Sequence, residues 1–559
     1  MLQRDDQPGY EGYGQTADRM NAFAQVFPVF FFLVAAMVCL TTMTRMVEEE
    51  RTQLGTLKAL GYSSVSIISK YMIYSLSASL IGSVVGLLLG FYIFPKSIFA
   101  AYDIMYELPP CVIKFKWSYA LIGTLIALLS TGAAAFFACR KELREKPATL
   151  MRPKAPKVGK RIFLEKITPV WSRMNFTSKV TARNLFRNKK RFITTLVGVA
   201  GCTSLLLAGF GLGDSISAIM DKQFGDDGVC RYDVQIVLKE GYSLENGEPE
   251  IMKAVKGSSE ITDSLMTRLE IIDGTSKSTD ANFEVNLMVP QDTSKLPEFI
   301  NLENRESGEA LPLDDSGVVI SEEFADQTNT QVGGNIVLIV DDREYTVPVS
   351  GIAENYTFHY IYMSPGLYEK TFGMQPEFNH ILASLAEDVS VSQKDTLATE
   401  LMKEDGVSAV AYTTQLMDTF NNIIESLNLV VAIFVVSAAA LSFVVLYNLA
   451  NINLNERIRE VSTLKVLGFR DKETSAYLVR ENIILTILGT AIGLFFGIFL
   501  HKYVVSIAEV DVVMFGRTIE PLSYILAAVF SVVFSAVVNG IMHVKLKKVD
   551  MVESLKAIE

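Results

Sequence analysis

Residues able to make or break bonds are sparse in this chain and nowhere stand in a working arrangement. The four histidines, His359, His380, His501 and His543, lie at no spacing to Cys, Asp or Glu that would hold a metal. Gly159-Lys160 is followed by Arg161 and lacks the upstream glycine of a phosphate-cradling loop, so the chain has no visible means of using ATP itself. No serine, threonine or cysteine sits in a nucleophile motif. A catalytic residue, a metal ligand and a bound cofactor are therefore not expected. The residues that do recur at fixed spacing suit movement and close packing instead.

Thr56-Leu57-Lys58-Ala59-Leu60-Gly61-Tyr62 returns as Thr463-Leu464-Lys465-Val466-Leu467-Gly468-Phe469, and Gly82, Gly86, Gly90 return in the same register as Gly489, Gly493, Gly497. The polar stretch predicts a short helix with Leu54, Leu57, Lys58 and Leu60, or Leu464, Lys465 and Leu467, ended by Gly61 or Gly468 as a C-cap. Glu48, Glu49, Glu50 and Arg51 precede one copy; Glu456, Arg457, Arg459 and Glu460 precede the other. Such a foot at the tip of a membrane helix can plug into a groove on a partner. The plainer alternative is a solvated juxtamembrane face. Glycines at i, i+4 and i+8 form a smooth stripe on which a second helix can come close, an architectural role rather than a substrate site.

These residues must be positioned by membrane helices. Half the residues are hydrophobic and the mean hydropathy is +0.29, too apolar for an ordinary soluble chain. Seven runs free of Asp, Glu, Lys and Arg are long enough to cross a bilayer: 20–44, 71–95, 117–139, 192–213, 426–455, 482–501 and 521–544. None carries a charge that could relay protons or bind a coupling cation, which argues against an ion-driven transporter. Some twenty polar residues with Arg4, Asp5, Asp6, Glu11 and Asp18 precede the first run, the wrong front for a cleavable signal peptide.

Charge sets the orientation. The connection from Arg140 to Arg191 holds seventeen Lys and Arg against Glu142, Glu145 and Glu165, so it is expected inside, together with both feet and the tail bearing Lys545, Lys547 and Lys548. Residues 214–420 then fall outside, with 38 acidic against 13 basic residues within an overall charge of −11. Alternating segments there, Tyr232–Leu238, Leu265–Ile272, Phe283–Val289, Ile336–Val340 and Tyr345–Val349, read as strands, with turns at Asp341-Asp342 and Val332-Gly333-Gly334-Asn335.

The fold class expected is thus an α-helical membrane protein with seven spans in two repeated units and an extracytoplasmic α+β domain. Residues 20–150 form the first unit, 151–191 a proline-bearing linker with an interfacial helix, 192–213 a single span, 214–420 the outer domain and 421–559 the second unit. In the interfacial helix Lys179, Arg183 and Arg187 make a basic stripe toward lipid headgroups, or else only a positive-inside flank. Five cysteines make no disulfide framework; Cys111 and Cys230 both fall outside, where they are free to pair.

At these residues the chain resembles the FtsX-like, or MacB-like, family of ABC transporter permeases. The family's cytoplasmic motif, roughly E-R-x-x-E-I-G-x-L-[RK]-A-[LI]-G, matches Glu456, Arg457, Glu460, Val461, Leu464, Lys465, Leu467 and Gly468. In the first copy it matches Glu49, Leu54, Gly55, Leu57, Lys58, Ala59, Leu60 and Gly61. Glu50 departs from the motif's Arg, Gln53 from its Glu and Ser462 from its Gly. Ala182-Arg183-Asn184-Leu185-Phe186-Arg187-Asn188 is similar to the family's entry segment before a membrane helix, and Val318 to Glu322 with Val332-Gly333 to a piece of its outer domain.

The resemblance implies a non-catalytic permease subunit working with a separate cytoplasmic ABC ATPase that binds the ATP. The feet would be coupling helices driving the outer domain, in the cytoplasmic membrane of a bacterial cell. Substrates implied are a lipoprotein, a peptide or a hydrophobic compound, exported or extracted at the outer face. Two other readings are a signalling module that controls an outer hydrolase or a sensor kinase without transport, and a membrane receptor without an ATPase. Membrane lipid and an extracytoplasmic protein are further partners, and no nucleic acid is expected. Members of the family begin with an outward-leading helix, whereas residues 1–19 here resemble the end of an outer domain. A missing N-terminal half or a second permease chain would complete the set.

Overall fold

The computed structural model describes residues 8–102, 110, 112–151, 165, 172, 179, 183, 189–239, 250–276, 278, 279, 281–341, 343–386, 388–456, 458–468, 470–509 and 513–547. It divides into two compact units. The membrane unit comprises Met1–Gly213, Asn428–Ala508 and Ile519–Glu559, and the outer domain Asp214–Leu427 with Glu509–Thr518. Seven helices among the described residues are long and apolar enough to cross a membrane. Residues 509–518, assigned from sequence to the second repeated unit, therefore count with the outer domain.

The repeat is built element for element. The first copy consists of α1 (Pro8–Glu49), α2 (Arg51–Ala59), α3 (Ser64–Tyr102) and α4 (Trp117–Leu143), followed by the short α5 (Pro147–Leu150). Residues from Pro8 to 19 begin α1. Polar residues at that end do not prevent this, because helix backbone bonds close locally and the helix can continue past the hydrocarbon. One long helix, α6 (Lys189–Phe224), has no counterpart in the first copy among the described residues.

In the outer domain the chain runs through β1 (Val234–Leu238), α7 (Glu250–Gly257), β2 (Ile261–Thr275), β3 (Phe283–Pro290), α8 (Leu296–Phe299), β4 (Val318–Ser321), α9 (Glu322–Thr328), β5 (Asn335–Val340), β6 (Arg343–Ala353), β7 (Tyr360–Tyr362), α10 (Pro365–Phe372), β8 (His380–Leu385), α11 (Val391–Leu401) and β9 (Val407–Tyr412). The second copy follows with α12 (Thr413–Glu456), α13 (Ile458–Val466), α14 (Asp471–Ala508) and α15 (Pro521–Lys547).

Two cores form in the outer domain. Strands β2, β8, β1 and β9 pair antiparallel in that order, with α7 following β1 and α11 following β8, a split βαβ arrangement. Ile236, Ile251, Val255, Ile381 and Leu397 fill its core. The second core is ringed by six strands, because β2 pairs β3 and β5, β3 pairs β7, β7 pairs β4, and β4 and β5 both pair β6. Val285, Leu287, Ile320, Phe324, Leu338 and Ile361 fill it and are all fully buried. The fifteen-residue β2 serves both: residues 261–267 pair β8, and 267–274 pair β3.

Both expected turns are present. Asp341, with φ 49°, lies between β5 and β6, whose register closes Val340 on Arg343. Gly333 adopts φ +85°. The segment 509–518 is held within the outer domain by Arg517, which donates to Glu509 at 2.6 and 2.9 Å and approaches Asp326 at 3.5 Å and Glu322 at 3.9 Å. The amide of Met514 also donates to the Tyr356 carbonyl at 3.2 Å.

Candidate functional site

Each foot is a nine-residue helix standing after a membrane helix, α2 in one copy and α13 in the other. Both end on a glycine in the left-handed region, Gly61 at φ +92° and Gly468 at φ +91°, as the C-cap reading requires. At the first foot the Gly61 amide donates to the Lys58 carbonyl and the Tyr62 amide to the Leu57 carbonyl, the paired bonds of a Schellman motif. The Gly468 amide donates to the Lys465 carbonyl at 3.0 Å.

The lysines point into the protein rather than toward a partner. Lys58 Nζ donates to the carbonyls of Leu143 at 2.6 Å and Glu145 at 2.8 Å, where α4 ends. Lys465 Nζ does the same at the end of α15, donating to the Leu546 carbonyl at 2.9 Å. A helix C-terminus leaves carbonyls unpaired and carries partial negative charge, so an ammonium there satisfies both. The same residue in both copies thus clasps its foot to the third membrane helix of its own unit.

Of the residues singled out from sequence, Leu54 is also internal, 1% exposed in a core with Val47, Ile67, Tyr71, Cys139 and Leu143, and Leu57 is half-buried against it. Gly55 is required by close approach: a Cβ there would lie 2.8 Å from Met151 and 3.0 Å from Leu150. Ser462, at the matching position, is fully buried. Leu60 and Leu467 face out, 71% and 70% exposed, with Tyr62 and Val466 beside them. Glu456 ends α12 and Leu464 lies within α13, while Arg457 is outside the described residues. The surface left for a partner is therefore the apolar tip of each foot.

The first foot is braced further. Arg51, 7% exposed, pairs with Glu142 at 3.7 Å and with Glu145. Glu50, where the motif has Arg, accepts from Lys70 at 2.8 Å and from the Tyr71 hydroxyl at 2.7 Å. The Lys70 bond, then that from Tyr71, holds the Glu50 carboxyl below the usual range. This departure from the motif is thus an internal brace. Of the expected interfacial stripe, Lys179 and Arg183 are helical, Arg183 pairs with Glu165 at 2.7 Å, and Arg187 is outside the described residues.

The glycine ladders, identical in sequence, differ in what they meet. A Cβ on Gly489 would lie 2.6 Å from Val199, one on Gly493 2.6 Å from the Ala200 carbonyl and the Thr203 Cβ, and one on Gly497 2.8 Å from Leu207. All four are α6 residues, so the second ladder is filled by α6. On the first ladder, among the described residues, Gly82 and Gly86 have nothing within 4 Å, and Gly90 meets only Phe94 of its own helix.

A polar network also runs through the second copy. Asn453 donates to Asn482 at 2.7 Å and Asn482 to Asn539 at 2.9 Å; Thr486 meets Ser535 at 2.7 Å and Thr203 meets Ser531 at 2.9 Å. Ser204 donates to the Gly493 carbonyl at 2.8 Å. Inspecting the runs for charge alone missed these neutral amides and hydroxyls, which join α6, α12, α14 and α15. Glu481, one residue before the charge-free run 482–501, is buried at 1% exposure. Among the described residues no group of His, Cys, Asp and Glu could hold a metal, and Cys111, the expected partner of Cys230, lies outside the described residues.

The FtsX-like permease C-terminal family matches residues 25–147 and 432–549, the two repeated units. Both repeated units are thus similar to those of FtsX-like permeases. Over 184 residues the chain is 25% identical to an uncharacterized ABC transporter permease of Methanocaldococcus jannaschii, covering 32% of this chain. The match spans 45% of that relative's length. The chain's fold is also similar to the periplasmic region of MacB from Actinobacillus actinomycetemcomitans (TM-score 0.24, 14% identity, 36% of this chain and 97% of that one). A further likeness is to the extracellular domain of the noncanonic ABC-type transporter YknZ from Gram-positive bacteria (TM-score 0.22, 14% identity, 32% and 98%). The seven long apolar helices are those of a multi-pass membrane protein.

Proposed function

We propose that this chain is the membrane subunit of an ABC transporter in the cytoplasmic membrane of a bacterial cell. Its two feet receive the movement of a separate cytoplasmic ATPase, which binds the ATP, and pass it through the membrane helices to the outer domain. The work done there is export or extraction of an amphipathic substrate, such as a lipoprotein, a peptide or a hydrophobic compound. The observation that carries this reading is the matched construction of the feet: an exposed apolar tip at Leu60 and Leu467, and a lysine clasping each foot to α4 or α15. A tip so clasped cannot shift without carrying the end of a membrane helix with it, which is what a coupling element needs. Neutral polar groups inside the second copy pair with one another, which suits stiff helices better than an open hydrophilic path.

The test is co-purification of the full chain with its ATPase. Leu60→Asp and Leu467→Asp together place charge on both tips without touching either core, and are expected to abolish the association and the permease-dependent part of ATP hydrolysis. Full association and full coupling in the double variant would refute the reading.

A further inference from the structure

Inside the second copy, where α6, α12, α14 and α15 meet, lies a cavity of about 20 Å3. Its polar lining comes from Thr195, Asn453, Asn482, Thr486, Ser535 and Asn539. The amides donate along one file, Asn453 to Asn482, Asn482 to Asn539, and Asn539 to Ser535 at 3.4 Å. At the head of that file the Oδ1 of Asn453 is left over. The residue is only 6% exposed, and this oxygen accepts from no donor among the described residues. A buried amide oxygen without a donor forfeits its hydration and gains nothing in return. Helix packing alone does not call for this arrangement, because the first copy builds the matching place without it. At the repeat's spacing Met46 stands in place of Asn453, and Ser75 in place of Asn482. Met46 packs against the cores formed by Val47 and Leu54 and by Met43 and Ala135, while Ser75 donates to the Thr131 carbonyl at 3.3 Å.

We infer that this cavity is the seat of one ordered water molecule, which completes the asparagine file and is a constant part of the membrane unit. The volume suits a single water, which needs about 10–15 Å3 and two to four polar partners. The water donates one proton to the Asn453 Oδ1 and the other to a remaining lone pair of the amide or hydroxyl oxygens beside it. Such a bridge gives the amide nearly the value of a direct bond. A monovalent cation also fits by size. The lining carries no charged side chain, however, so nothing would compensate the hydration that an ion gives up. Asn453 lies near the end of α12, just before the foot α13, so the water makes the root of that foot a hydrated joint. The matching root in the first copy is packed with methionine instead.

The test is X-ray radiolysis of the full chain in nanodiscs, with oxidation read by mass spectrometry. Hydroxyl radicals formed from water are too short-lived to cross a packed interior, so a buried side chain is oxidised only beside a bound water. Leu446, Leu485 and Val538, buried side chains that line the cavity, are expected to be oxidised. Leu205, Leu206 and Leu207, also buried, are expected to stay unoxidised. Ala450 lines the cavity too, so Ala450→Leu fills it while leaving every amide in place, and is expected to lose the oxidation. Asn453→Met, which installs the residue of the first copy, is expected to lose it as well and serves if the added leucine disturbs packing. Replacing Na+ and K+ by choline is expected to change nothing. Oxidation of Leu446, Leu485 and Val538 no greater than that of Leu206 would overturn the inference, as would oxidation that survives in both variants. Oxidation that appears only in choline would overturn it too, by making the occupant a cation.

Discussion

Replacing Lys58 by methionine keeps the length of the side chain and removes its charge and its three donors. The structure gives this lysine two bonds, at 2.6 and 2.8 Å, to carbonyls at the end of α4. Bonds from a charged donor contribute about 1.5–3 kcal/mol each when buried, and Lys58 is only half-buried, so the pair together is worth about 2 kcal/mol. Such a loss raises the population of the opened foot by about thirtyfold. Hydrogen exchange of a peptide covering residues 52–62 should therefore accelerate by that factor, with exchange in the outer domain unchanged. At Lys465 the bond to the Leu546 carbonyl alone is worth about 1 kcal/mol, so Lys465→Met should speed exchange over residues 459–468 by about fivefold. The reasoning fails if either variant loses its ATPase while its foot exchanges at the original rate. That result would mean the lysines touch the partner directly, as their place in the motif suggests from sequence alone.

Gly493→Ala should separate α14 from α6 and destabilise the membrane unit by about 1–3 kcal/mol, read as faster maleimide labelling of the buried Cys202, whereas Gly86→Ala should leave labelling unchanged. Arg517→Met strands Glu509, whose side chain is 5% exposed, and should destabilise the anchorage of residues 509–518 by about 3 kcal/mol, seen as proteolytic cleavage within that segment. Burial, aided by the nearby Glu509 charge, pushes the Glu323 carboxyl up to about 8. Its folded form thus holds a proton that the unfolded chain, at about 4.5, has already lost, so its contribution is complete below 4.5 and disappears as pH rises through 8. His380, lowered to about 4 by burial, acts oppositely between 4 and 6.5, so the decline should be cleanest between pH 6.5 and 8. Glu323→Gln should abolish that decline in the outer domain's urea resistance.

What could be read from sequence follows the range of the interactions. The bilayer demands about twenty apolar residues per crossing, a local signature, and all seven runs lie within helices of the structure. The repeated motif likewise announced the feet, and Gly61 and Gly468 cap them as their type requires. Direction was hidden: Lys58, Leu54 and Glu50 belong to a motif that reads as surface, yet their partners Leu143, Tyr71 and Lys70 come from other helices. The ladders were legible as a pair but not their difference, since Val199 and Thr203 lie some 290 positions from the glycines they meet. In the outer domain β4 and β7 are too short and too uniformly apolar to declare a strand period, and ring closure depends on pairings such as Asn286 with Tyr360 that no local pattern encodes. The linker 151–191 falls mostly outside the described residues.

The long strand β2 is a single beam common to two separate interiors. Because its first half closes one sheet and its second half closes the ring, neither interior can be dismantled without fraying the other's wall. Mutations that loosen Val285 or Ile381, far apart in sequence, should consequently weaken one shared cooperative melt rather than two. A load applied at one end of the outer domain is handed across it by the continuous backbone of β2.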